Sequence, residues 1–90
     1  MTTTIRLPSP LAGHCGGTRE QQVEGLTAEA AVADLVCRFP QLGPLVLEEG
    51  RLRSHLMVMR KGARMGTDAV ANEPLADGDV LTLLFLAGGG

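Results

Sequence analysis

The sequence is poor in aromatic side chains and has no long apolar run. It contains two Phe and neither Trp nor Tyr, so its core must be aliphatic, and it offers no aromatic platform on which nucleic-acid bases would stack. The net charge of −2 lacks the basic excess of a nucleic-acid-binding domain. No apolar run approaches the roughly 20 residues of a membrane span, and residues 1–4 carry no basic leader. We therefore expect a cytoplasmic protein with no nucleic-acid or membrane partner.

Cysteine is scarce as well, with Cys15 and Cys37 the two examples. Two cysteines make neither a disulfide-dense scaffold nor a four-cysteine zinc or iron–sulfur site. Cys15 sits beside His14 in a glycine-rich loop, but the flanking sequence supplies no further ligand and no orienting carboxylate. We predict no metal site and no catalytic residue here. Cys37 falls in a helical apolar pattern, so we expect a small buried hydrophobe.

The 90 residues contain 44% apolar and 20% charged residues, which is typical of one small globular domain. Residues 3–7 alternate in polarity and predict a strand that Pro8 ends, and residues 9–17 read as a loop. Residues 19–24 predict a polar edge strand in which Val23 points inward.

A helix is predicted over residues 28–39, because apolar residues recur there at three- and four-residue steps. Thr27 suits its N-cap and Pro40 stops it. Residues 40–53 show no clean period. Further strands are predicted at 54–60 and 80–86, separated by a stretch at 63–78 that reads mostly as loop.

One apolar helix stripe needs one sheet face to cover it. The order of elements therefore predicts an α+β fold in two layers, with a mixed sheet of about four to five strands and one main helix packed on one face.

The end of the sequence is its most informative segment. Gly88, Gly89 and Gly90 follow an apolar strand almost directly. Residues without a Cβ adopt extended and positive-φ conformations alike and fit through a narrow tunnel. We predict a folded domain over residues 1–87 and a flexible glycine tail over residues 88–90.

Three segments together resemble the ubiquitin-like sulfur carriers of the ThiS/MoaD family, which have a β-grasp fold. They are the loop at residues 7–17, the "PLADGDV" turn at residues 74–80, and the terminal Gly89-Gly90. The loop is similar to that of the actinobacterial carriers linked to cysteine biosynthesis. The sequence departs from many members in lacking a proline-containing stretch before the diglycine and in having Gly88 as a third glycine.

The resemblance implies a sulfur carrier, which is a protein co-substrate and not an enzyme. A ThiF/MoeB-like adenylating enzyme would use ATP and Mg²⁺ to activate the carboxylate of Gly90, and a thiocarboxylate would form there. Gly88 and Gly89 would enter the active site of that partner. The sulfur would pass to a sulfur-accepting synthase in the biosynthesis of a cofactor, an amino acid or another thio-metabolite.

Three alternatives stay open at this point: a small non-catalytic subunit of a molybdopterin-synthase-like complex, a ubiquitin-like protein modifier, and a plain β-grasp binding module. In each, partners would dock on an apolar surface. We predict that this surface includes Met57 and Met59, which share a strand face opposite Leu56, and that Phe85 and Leu86 extend it toward the tail.

Overall fold

The structure, a computed structural model, describes residues 2–49, 51–53 and 56–85. Seven strands are present among these residues: β1 (Thr2–Arg6), β2 (Glu20–Glu24), β3 (Leu47–Glu48), β4 (Arg51–Leu52), β5 (Leu56–Arg60), β6 (Ala63–Arg64) and β7 (Val80–Phe85). Four helices accompany them: α1 (Ser9–Ala12), α2 (Ala28–Arg38), α3 (Gly43–Val46) and α4 (Thr67–Asn72). Within this part of the chain, none of the helices combines the length and the apolar content that crossing a bilayer requires.

Five strands form one mixed sheet in the order β2-β1-β7-β5-β6. β1 pairs parallel to β7 and antiparallel to β2, while β5 pairs antiparallel to both β7 and β6. The two short strands β3 and β4 form a separate hairpin. The predicted α+β architecture with one main helix over a mixed sheet is confirmed.

The core lies between the main helix and the sheet. The stripe of α2 consists of Ala28, Ala31, Val32 and Leu35, all fully buried. Pleat alternation sends every second strand residue toward this helix. The largest fully buried apolar side chains are Ile5, Leu11, Val23, Val32, Leu35, Leu42, Val46, Val58, Leu81 and Leu83.

The main helix begins and ends close to its predicted limits. The Thr27 hydroxyl accepts a hydrogen bond from the Ala30 amide at 3.1 Å, as an N-cap should. The helix ends at Arg38, one residue before the predicted limit, and Pro40 starts a 3₁₀ turn. Cys37 is exposed, so its predicted burial is wrong. Cys37 lies two residues beyond Leu35, about 200° around the helix and off the buried stripe.

Two stretches expected to be loops contain helices. Residues 9–17 form α1 and a 3₁₀ turn, Gly13–Cys15, and they bury Leu11, Ala12 and Cys15. Pro10 occupies the first turn of α1, where a missing N–H costs nothing. Residues 63–78 contain β6 and α4. Both helices are short and buried on one side only, so neither produces a full helical period in the sequence.

Candidate functional site

The glycine tail follows β7, the central strand of the sheet. Leu81 and Leu83 are fully buried there, and ladders to β1 and β5 hold the strand on both sides. Phe85 is the last residue that the structure describes. Leu86, Gly88, Gly89 and Gly90 lie outside the described residues, so the adenylation site, the tail and the domain division at residue 87 stay predictions.

The Asp77-Gly78-Asp79 turn fastens the start of β7 to the start of β1. The Thr2 amide donates to Asp77 Oδ1 at 2.7 Å, and the Gly78 amide donates to the Thr2 carbonyl at 2.8 Å. The Thr4 amide donates to the Asp79 carbonyl at 2.9 Å. Gly78 has φ +86°, a conformation that favours glycine. The motif that carried the sequence resemblance therefore sets the register of the central strands.

Asp79 also belongs to a partly buried ion-pair cluster centred on Arg60. Its Oδ2 accepts from the Ala76 amide at 2.7 Å and from Arg60 Nη2 at 2.6 Å, while Arg60 Nη1 donates to Glu73 at 2.7 Å. The Ala76 amide, followed by Arg60, lowers the pKa of the Asp79 carboxyl below its ordinary value, although burial opposes this shift. These contacts tie the turn before β7 to β5 and to the segment that follows α4.

An apolar patch lies on the sheet face that α2 does not cover. Met57 is paired with Leu84 across β5 and β7, and Met59 is paired with Thr82, so these side chains share one face. Met57 and Met59 are half-buried. The predicted pairing of Met57 and Met59 on one surface is therefore present in the geometry, whereas its role in docking stays a prediction.

Phe85 lies on the opposite face from these methionines. It is paired with Leu56, which is buried on the helix side of the sheet. Side chains alternate between the two faces of a strand, and Phe85 is one position out of phase with the face that carries Met57 and Met59. Phe85 therefore does not extend that surface, and Leu86 is outside the described residues. Leu84 and Val80, and not Phe85, lie on the face that carries the methionines, and 37% and 43% of their surface is exposed.

We call Met57, Met59, Val80 and Leu84 the outer-face patch. Sequence reasoning missed Val80 and Leu84 because the run 80–86 is apolar at nearly every position. The alternation was nevertheless readable: if Leu81 and Leu83 point inward, then Val80, Thr82 and Leu84 must point outward.

Cys15 is buried, and burial raises the pKa of its thiol. A raised pKa disfavours the thiolate, which is the reactive form. His14 beside it is exposed. The prediction that this segment carries no catalytic residue stays a prediction.

A mixed five-stranded sheet crossed by one main helix defines the β-grasp fold of ubiquitin-like proteins. No family model and no curated relative matches the sequence, but solved structures match over nearly the whole chain. A chain of the Amycolatopsis orientalis BexX/CysO complex has a TM-score of 0.83 at 24% identity, covering 98% of this chain and 99% of that chain.

Two further structures extend the likeness. Small archaeal modifier protein 1 from Haloferax volcanii has a TM-score of 0.81 at 29% identity, with 100% of both chains covered. Mycobacterium tuberculosis CysO has a TM-score of 0.78 at 23% identity, covering 94% of this chain and 99% of that chain. These neighbours are small ubiquitin-like carrier and modifier proteins, and they confirm the predicted resemblance to the ThiS/MoaD-like proteins.

Proposed function

We propose that this chain is a sulfur carrier whose terminal glycine is activated by a partner enzyme and converted to a thiocarboxylate. The single observation that supports this proposal most is that the glycine tail follows β7 closely in the sequence. The central strand of the sheet leads, within a few residues, into residues that have no side chains. The fold is shared with CysO and with small archaeal modifier proteins.

The chemistry explains why a partner is required. A terminal carboxylate with an ordinary pKa near 3.5 is ionised at neutral pH and resists attack by sulfide. Transfer of an adenylyl group from ATP makes the Gly90 carbonyl carbon electrophilic, and a sulfur donor then displaces AMP. The partner supplies ATP and Mg²⁺, and the chain itself supplies the acyl group, so it is a co-substrate and not an enzyme. We place this reaction in the cytoplasm.

The folded domain provides a docking surface for that partner. We infer that a ThiF/MoeB-like adenylating enzyme, and afterwards a sulfur-accepting synthase, dock on the outer-face patch, where methionine adapts to different surfaces. A CysO neighbour was solved in a complex with BexX, which supports a partner for this chain. Gly88 and Gly89 keep the tail slender enough to enter the active site of the partner.

A second candidate is a protein modifier whose Gly90 forms isopeptide bonds with lysines. The likeness to small archaeal modifier protein 1, at 29% identity over both whole chains, favours it. Both candidates need the same activated end, and they differ in whether sulfur or an amine displaces AMP. A subunit of a molybdopterin-synthase-like complex would instead co-purify stably with a large subunit.

Intact mass distinguishes these functions. After incubation with the adenylating partner, ATP, Mg²⁺ and a sulfur source, exchange of one oxygen for sulfur should add about 16 Da. Deletion of Gly90, or Gly89→Leu, should abolish the gain without changing the thermal unfolding midpoint. Gly13→Leu is the matched control, since no atom lies within 4 Å of a Cβ there. An unchanged mass with the wild-type chain, or a folding defect in the tail variants, would contradict the proposal.

A further inference from the structure

The seven arginines of this sequence differ in what their guanidinium groups contact. Four of them donate to side chains: Arg6 to Glu20, Arg19 to Ser9, Arg38 to Asp34, and Arg60 to Glu73 and Asp79. Across residues 2–49, 51–53 and 56–85, the other three, Arg51, Arg53 and Arg64, bond to no side chain, and Arg53 donates only to the Pro44 carbonyl at 3.2 Å. All three line one cavity.

This cavity, which we call the arginine-rimmed cavity, has a volume of about 520 Å³. Its lining comes from β4, β5, α4 and the start of α2. The apolar part of that lining is buried and consists of Leu56, Val58, Met65 and Val70. Sites for small molecules are mostly apolar pockets of about 300–1,000 Å³ that hold a few polar groups. The size and the apolar lining therefore suit a small molecule.

The rim of the cavity carries charges of both signs. Arg51 and Arg64 are exposed, and Arg53 is half-buried. Glu29 and Asp68 also line the cavity, and in the described part of the chain neither forms an ion pair. Three guanidinium groups and two carboxylates leave a formal charge of 3 − 2 = +1.

The two carboxylates have a structural reason for their positions. Glu29 lies in the first turn of α2 and Asp68 in the first turn of α4, where the helix dipole favours negative charge. The three arginines lack a corresponding partner in the fold. A guanidinium presents a planar set of N–H donors that binds a carboxylate or a phosphate through two parallel hydrogen bonds. The arrangement therefore favours an anionic ligand.

We propose that the arginine-rimmed cavity binds a small amphipathic anion. The carboxylate or phosphate group of this ligand contacts the three arginines, and its apolar body covers the buried lining. The proposed sulfur carriage makes no use of these arginines, so this inference goes beyond that function and is tested separately from it.

The probe is octanoate, titrated at neutral pH into the ¹⁵N-labelled full chain, with amide shifts in two-dimensional NMR as the readout. Saturable shifts should concentrate at Val58, Met65 and Val70 and spare Gln22 in the edge strand β2. Hexanoate should bind about tenfold more weakly, because each buried CH₂ contributes roughly a factor of four. Neutral 1-octanol should also bind about tenfold more weakly than octanoate. Octyl phosphate, titrated in parallel, distinguishes a phosphate ligand from a carboxylate ligand.

Charge variants test the rim, and the dispersion of the amide spectrum shows whether each variant is folded. Arg51→Glu and Arg64→Glu should each weaken octanoate binding by about tenfold. Arg19→Glu is the matched control, because it reverses the charge of an exposed arginine that does not line the cavity, and it should leave the affinity unchanged. Glu29→Gln removes a like charge and should tighten octanoate binding several-fold.

Equal affinities for octanoate and 1-octanol, shifts spread over the whole chain, or equal effects of Arg19→Glu and Arg64→Glu would each overturn the proposal. The same conclusion follows if neither octanoate nor octyl phosphate binds saturably below its micelle-forming concentration. Octylammonium that bound more tightly than octanoate, and lost this binding in Glu29→Gln, would assign the cavity to a cation instead. The mass gain at Gly90 is a separate measurement, and its failure would count against the proposed function alone.

Discussion

Gly25 directly follows β2 and lies against the backbone of the main helix, and Gly25→Ala should strongly destabilise the fold. A Cβ at this position would lie 2.5 Å from the Ala31 nitrogen and 2.8 Å from the Ala30 carbonyl carbon and the Ala31 Cα. All three are backbone atoms, so no side chain can rotate out of the way. Ordinary contact begins at 3.4 Å, so the backbone at Gly25 and the helix would have to separate by nearly one ångström.

The size of the effect follows from two opposing contributions. Overpacking of this kind costs about 1–3 kcal/mol, and backbone contacts belong at the upper end. Gly→Ala also lowers the conformational entropy of the unfolded chain, which stabilises the folded state by about 0.4–1 kcal/mol. We expect a net loss of about 2 kcal/mol, which lowers the unfolding midpoint of a domain of this size by about 8–16 °C.

Thermal and urea unfolding followed by circular dichroism measure this loss. Gly13→Ala is the matched control, because Gly13 is helical at φ −59° and has no atom within 4 Å of an added Cβ. It should raise stability by about 0.4–1 kcal/mol. If Gly25→Ala were as stable as Gly13→Ala, the close approach of Gly25 to α2 described above would be wrong.

Three other predictions address the helix cap, the outer-face patch and acid stability. Thr27→Ala removes the acceptor of the Ala30 amide and should cost about 1 kcal/mol by urea unfolding, whereas Thr27→Ser should retain most of it. Leu84→Asp should weaken binding of the adenylating partner by about tenfold or more in titration calorimetry at a temperature where circular dichroism shows the variant to be folded; unchanged affinity would exclude this face. The lowered pKa of Asp79 means that its contribution to stability is present above the unfolded-state pKa and is lost as pH falls through the folded-state value. Asp79→Asn should therefore lower the free energy of unfolding at neutral pH and make it fall less steeply as the pH decreases. If urea unfolding gave the same acid dependence for the variant and the wild type, this assignment would be wrong.

Most of the sheet and the main helix were predictable because these segments are long enough for their polarity pattern to repeat. Five-residue strands such as β1 and the stripe from Ala28 to Leu35 repeat their pattern several times. The four-residue α1 and the six-residue α4 do not, and prolines or glycines near them resemble loop signals. The β3–β4 hairpin was missed for the same reason, since each strand has two residues.

The candidate site was predictable only in part. The DGD turn was identified by its chemistry, but its bonds to Thr2 and Thr4 depend on a pairing of strands about 75 residues apart in sequence. Phe85 was assigned to the wrong face because apolar residues fill both sides of β7, and hydrophobicity alone then cannot set the alternation. The partner of Met57 became visible only with the register of β5 against β7.

The central position of β7 has a consequence for the life of the protein. During synthesis this strand is the last described element to leave the ribosome, yet it alone joins the β1–β2 hairpin to the β5–β6 hairpin. A polypeptide that stops short of Val80 leaves two separate half-sheets in which β1 and β5 each have an unpaired edge, and such edges make a chain prone to aggregation. The topology thus couples folding to chain length: the five-stranded sheet is complete only after β7, the strand that precedes the glycine tail, has been made.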